Sequence, residues 1–122
     1  MKLLTKKIKE KAIKQYVKGA DLEQMVVAKF FNPYGRGTWY LMNMHEDEDY
    51  CWGICHLYEW EVGSFSLEEL RNLPLPFGFK IERDLYFKPI KASKLWEKLT
   101  LDDYNKPNSF TIQKPVIKEN LR

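Results

Sequence analysis

The hydrophobic positions change period several times along the chain, and each change marks an element. In KKIKEKAIKQYVKG (residues 6–19), Ile8, Ala12, Ile13, Tyr16 and Val17 recur at three- and four-residue intervals. That spacing predicts an amphipathic helix with one apolar stripe and lysines on the outer face. Thr5 is placed to cap its start and Gly19 to end it. Three strand-like runs follow. MVVAKFF (residues 25–31) is β-branched and aromatic, and NPYGRG (32–37) is dense in turn residues. TWYLMNMH (38–45) is a second strand, EDED (46–49) an exposed hairpin tip, and YCWGICHLYEWEV (50–62) a third strand closed by Gly63.

FSLEEL (65–70) carries the clearest local signal. Ser66 and Glu69 fit a capping box, and Phe65 and Leu70 occupy the staple positions, which predicts a short helix from Leu67 to about Leu73. Pro74 and Pro76 stop it. In KIERDLYFKP (80–89), Ile81, Arg83, Leu85 and Phe87 alternate with Glu82, Asp84, Tyr86 and Lys88, as in a half-exposed fourth strand. SKLWEKL (93–99) reads as a last short helix with Leu95, Trp96 and Leu99 inward. Beyond Leu101 the pattern fades into a polar segment holding Pro107 and Pro115.

The expected fold is α+β: an antiparallel sheet of about four strands in a meander, with an N-terminal helix and two short helices packed on it. One domain is expected over residues 1–100, with 101–122 a polar extension, docked as an arm or mobile.

Charge adds a pattern that the net value of +3 conceals. Residues 1–18 hold seven Lys and one Glu, residues 45–79 hold eight acids and one Arg, and residues 80–122 are basic again. Mutual attraction between elements accounts for this; a basic face for nucleic acid is the sharper reading. No run reaches the roughly 20 apolar residues of a membrane helix, and no signal-peptide pattern opens the chain, so a cytoplasmic protein without a membrane partner is expected. Two cysteines make no disulfide framework.

Candidate chemistry concentrates in HEDEDYCWGICHLYEWE (45–61). On a strand, Cys51 and Cys55 share a face roughly 13 Å apart. They can neither share a metal ion nor form a disulfide, and His56 points to the other face. HEDED lacks the order of a calcium loop. No metal site and no cofactor is therefore expected. Glu59 and Glu61 share a strand face at about 7 Å. Arg83, on the apolar face of its own strand, wants a carboxylate, and one of these two glutamates is the candidate partner.

Several motifs together resemble the domain-of-unknown-function family 2958. They are KLLTKKI at the start, Trp39–Tyr40, the W-G-I of the third strand, E-x-E-x-G-x-x-S-L-x-E-L (59–70) and I-E-R-D-L-x-F-x-P (81–89). The resemblance covers about the first hundred residues. It implies a setting in bacteria, phages and conjugative elements, and supplies no activity, cofactor or site residue.

Three functional readings follow. The first is a non-enzymatic accessory protein of a mobile element or phage that binds a protein partner, such as a host defence component. Its candidate surface is Glu59, Glu61, Glu82, Arg83, Asp84, Trp39 and Tyr40. The second is a nucleic-acid module using Lys6, Lys7, Lys9, Lys11, Lys14 and Lys18 with the basic C-terminal third. The third is a small enzyme built on the carboxylates and Arg83.

Overall fold

In a computed structural model, which describes residues 2–105, the expected α+β arrangement is present. Helix α1 (Lys6–Lys14) starts at Thr5, whose hydroxyl accepts the Ile8 amide at 3.1 Å. Ala12 is fully buried and Ile8 and Ile13 pack beside it. The α-helix ends earlier than the stripe predicts. A 3-10 turn over Tyr16–Lys18 leads into Gly19 at φ 50° and swings Val17 outward to 92% exposure. Gln15 secures this end: its Nε2 donates to the carbonyls of Met25 and Met42, and its Oε1 accepts the Met25 amide.

Seven strands follow among the described residues: β1 (Met25–Val26), β2 (Ala28–Phe31), β3 (Thr38–Met44), β4 (Cys51–His56), β5 (Trp60–Phe65), β6 (Glu82–Arg83) and β7 (Ile90–Lys91). Five form an antiparallel sheet in the order β5-β4-β3-β2-β6, and β1 pairs with β7 in a separate ribbon. The meander expectation holds for β2 to β5. Helix α2 (Leu67–Asn72) begins where the capping box places it, with Ser66 Oγ accepting the Glu69 amide at 3.1 Å.

Four expectations need correction. The run 25–31 is divided at Val27, whose amide binds the Leu41 carbonyl; its first half joins the ribbon and its second half the sheet. The run 50–62 is a hairpin rather than one strand. It turns at residues 57–59, and Gly63 lies within β5 opposite Gly53 instead of closing a strand. The turn contains no Gly, Pro, Asn or Asp and so gives no sequence signal. The run 80–89 is a strand only at Glu82 and Arg83. Asp84 Oδ1 then accepts the Tyr86 amide at 2.9 Å, a local turn that bends the chain away. Leu85 and Tyr86 are left 62% and 92% exposed. The last helix is not short: α3 spans Ala92–Asn105. The expected arm falls largely on residues 106–122, outside the described residues.

The core lies on both faces of β3. Trp39, Leu41 and Met44 pack with Leu3, Leu4, Ala12, Leu67 and Leu70 on the face carrying α1 and α2. Tyr40 and Met42 pack with Val26, Ile54, Ala92 and Leu95 on the face carrying α3 and the ribbon. A bulge between Leu41 and Asn43 shifts the register with β4, which is why Met42 and Met44 serve opposite faces. Beside it, a Cβ on Gly53 would stand 2.1 Å from the Tyr40 carbonyl oxygen; the approach requires glycine. Asn43, fully buried, donates to Gly19 O and Gln24 Oε1, both at 2.9 Å.

Candidate functional site

The sheet order separates the residues that the sequence suggested as one polar cluster. Glu59 lies in the β4–β5 turn and Glu61 on β5, whereas Glu82 and Arg83 form β6 at the other edge. Four strand spacings, roughly 19 Å, lie between the two edges. The expected pairing of Arg83 with Glu59 or Glu61 is therefore corrected. Arg83 Nη1 donates instead to the carbonyl of Lys2 at 2.8 Å, tying the N-terminal segment to the edge strand. Asp84 sits 3.8 Å from the Lys29 ammonium, which also lies over the Tyr40 ring. Trp39 and Tyr40 are core residues, not surface. Burial, and then the charge of Asp84, raises the Tyr40 hydroxyl above its ordinary pKa. An active site spanning Glu59, Glu61, Glu82, Arg83 and Asp84 does not assemble.

The thiols do share one face of β4, as strand geometry requires, and both pack against the α1 and α2 core. Burial pushes Cys51 up to about 12. Burial, reinforced by the neighbouring charge of Glu61, does the same for Cys55. Both shifts disfavour the thiolate, the form that acts as a nucleophile. Among the described residues no three His, Cys, Asp or Glu side chains could hold a metal ion. His56 packs at a tilt against Trp60 across the hairpin, with ring centroids 4.4 Å apart, and His45 meets Tyr16 edge-on.

The acidic turn holds a residue that the sequence reading passed over. Glu48 is not part of an exposed tip. Its backbone takes φ 65°, and its carboxylate accepts Lys9 Nζ at 2.7 Å and Arg71 Nη1 at 2.6 Å. Its carbonyl accepts the Leu67 amide at 3.1 Å. Partial burial opposes its ionisation, but the bonds from Lys9 and Arg71 prevail and hold the carboxyl below its ordinary range. Next to it, Asp49 Oδ1 accepts the Ser66 hydroxyl at 2.9 Å. The turn thus joins α1, β3, β4 and α2. A run of four like charges in EDED carries no sign of which carboxylate turns inward.

Of the six lysines proposed for nucleic acid, Lys6, Lys7, Lys11, Lys14 and Lys18 are exposed, and Lys9 is half-buried against Glu48.

A second feature missed in the sequence lies where β2, β4 and the segment entering β6 end together. The β2–β3 turn, the β4–β5 turn and the loop before Ile81 all emerge at that end. Tyr34, Leu57, Tyr58, Phe77 and Phe79 are all exposed there. Tyr34 meets Phe77 at 5.8 Å and Phe79 at 5.6 Å, and Arg36 lies over Tyr58 at 5.4 Å. Phe77 is 87% exposed and holds φ 57°. Asn32 makes the turn rigid: its Oδ1 accepts the amides of Tyr34 and Gly35, and its Nδ2 donates to Arg36 O. The signal was present in LPLPFGFK, where two aromatics sit among prolines and a glycine in a loop.

No helix among the described residues is long and apolar enough to cross a membrane. Residues 3–102 match the family model described as Protein of unknown function (DUF2958), and the chain belongs to that family. The match agrees with the resemblance read from the motifs, including its end near Leu101. Comparison with curated proteins gives no match, and comparison with solved structures gives none either.

Proposed function

We propose that this member of the DUF2958 family is a non-enzymatic protein-interaction module that seats a partner protein on the aromatic end of its sheet. Phe77 carries the proposal. A non-glycine residue in the left-handed region costs about 1–2 kcal/mol, and here the strain holds an aromatic ring in solvent. Local strain of this kind concentrates at functional sites. Aromatic residues and arginine are also the types enriched where binding energy concentrates. The rigid Asn32 turn keeps the ordering cost of binding low.

The partner surface that fits this end offers an apolar hollow for Phe77 and a basic rim facing Glu59 and Glu61. Both glutamates are exposed at that edge and make no ion pair among the described residues. The setting proposed is an accessory role in a mobile element or phage, with a host protein as partner, and the family resemblance supports it. The nucleic-acid alternative is weaker. A single-strand groove combines stacking rings with cations. Here the exposed lysines of α1 stand on another element from the exposed rings, which have Arg36 and Lys80 near them in sequence.

Affinity capture with the full chain, with and without nuclease, tests the reading. One protein recovered in both arms and lost with Phe77→Gly is the expected result. Recovery abolished by nuclease would transfer the function to nucleic acid.

A further inference from the structure

We infer that the cleft between the N-terminal segment, α1 and α2 is a binding site for a small phosphate-bearing polyanion. This site adjoins the aromatic end only through the loop carrying Lys80, and it does not rest on the function proposed there. The cleft has a volume of about 710 Å³, within the range of small-ligand sites. Five cationic side chains line it, Lys2, Lys6, Lys9, Lys80 and Arg71, against one carboxylate, Glu48. They come from three separate stretches of chain, so the clustering is a product of the fold.

Glu48 accounts for Lys9 and Arg71, one on each carboxylate oxygen. Lys2, Lys6 and Lys80 are exposed and make no ion pair among the described residues. Arg71 and Lys9 each keep N–H donors beyond the one given to Glu48. The rest of the wall is Thr5 and three buried apolar residues, Leu3, Leu4 and Ile81. Charges above such a wall interact more strongly than in open water.

Convergent cations repel one another, and the usual remedy is an acid supplied by the fold. The first turn of α1 contains no acidic residue, although that is where an acid is most favourable. The excess is four positive charges over the cleft lining. A di- or triphosphate matches this excess in sign, in size and in its supply of acceptor oxygens. A cleft of this volume takes a compact ligand rather than a strand of nucleic acid, which needs a continuous groove. The bond from Arg83 to the Lys2 carbonyl ties the N-terminal wall of the cleft to the edge strand.

The test is titration of the full chain, followed by amide chemical shifts, with pyrophosphate, ATP, adenosine and a single-stranded oligonucleotide as separate probes. Saturable shifts at Lys6, Lys9, Arg71 and Lys80 with pyrophosphate and ATP, and none with adenosine, are expected. A Lys6→Gln/Lys80→Gln variant should bind pyrophosphate about tenfold more weakly, while Lys14→Gln/Lys18→Gln, equal in charge change, should alter it less than about twofold. Equal weakening in both variants overturns the proposal in favour of unspecific charge. Saturation of these amides by the oligonucleotide but not by pyrophosphate overturns it in favour of nucleic acid. Absence of any shift at about 10 mM pyrophosphate, a bound weaker than useful affinity, overturns it altogether.

Discussion

Replacing Glu48 by Gln keeps the side-chain shape and removes the charge that joins Lys9 to Arg71. Two charge-assisted hydrogen bonds are weakened, of a kind worth about 1.5–3 kcal/mol each when fully buried. Glu48 is 18% exposed, but Lys9 and Arg71 are 38% and 37% exposed. Screening therefore reduces each bond to roughly 0.5–1 kcal/mol. The expected loss is about 1–2 kcal/mol, a drop in Tm of roughly 3–10 °C for a domain of this size. The sign of the pH dependence is fixed. A carboxyl held below its ordinary value of 4.5 stabilises the fold above that pH and loses the contribution as pH falls through the lowered value. Wild type and E48Q should therefore differ at pH 7 and converge in acid, as read by urea unfolding at a series of pH values. The backbone gives a second handle. Glu48→Ala keeps the strain at φ 65° and Glu48→Gly relieves it, so the glycine variant should be about 1 kcal/mol more stable than the alanine variant. A gap between wild type and E48Q that is as wide at pH 3 as at pH 7 would refute the ionic account of this turn.

Other outcomes follow from the same structure. Gly53→Ala drives a Cβ against the Tyr40 carbonyl and should cost about 2–3 kcal/mol, read from thermal melting; an unchanged Tm would mean that the β3–β4 bulge is misplaced. Cys51 and Cys55, held as thiols by burial, should resist alkylation at pH 7 and react once urea unfolds the chain; rapid labelling of the native protein would contradict their burial. Asn43→Ala removes the donors to Gly19 and Gln24 in the core and should cost about 1–3 kcal/mol in a chemical melt; a loss under 0.5 kcal/mol, on the same scale, would show that water satisfies that site.

Elements with a strong local signature were legible in the sequence. The Ser66 capping box, the Thr5 cap and the Asn32–Gly37 turn all stand where composition puts them. What failed depended on long-range geometry. The β4–β5 hairpin turns through Leu57, Tyr58 and Glu59, residues that do not announce a turn. Alternation over residues 80–89 is real in sequence, but the Asp84 turn overrides it after two paired residues. The polar cluster failed for a related reason. Residue types suggest partners, but strand order decides which edges meet, and β5 and β6 are opposite edges. The candidate aromatic surface lay in the wrong place. Trp39 and Tyr40 lie on the central strand and are buried, while Tyr34, Tyr58 and Phe77 sit in turns and are exposed.

The most direct measurement pairs stability with binding for Phe77→Gly. Glycine accepts φ 57° without strain, so the variant should melt no lower than wild type and up to several degrees higher. If Phe77 anchors the partner, affinity for the captured protein should fall by about thirtyfold or more, the scale of an interface hot spot. Binding that is undiminished in a well-folded Phe77→Gly protein, or a Tm lowered by more than about 5 °C, would contradict the account.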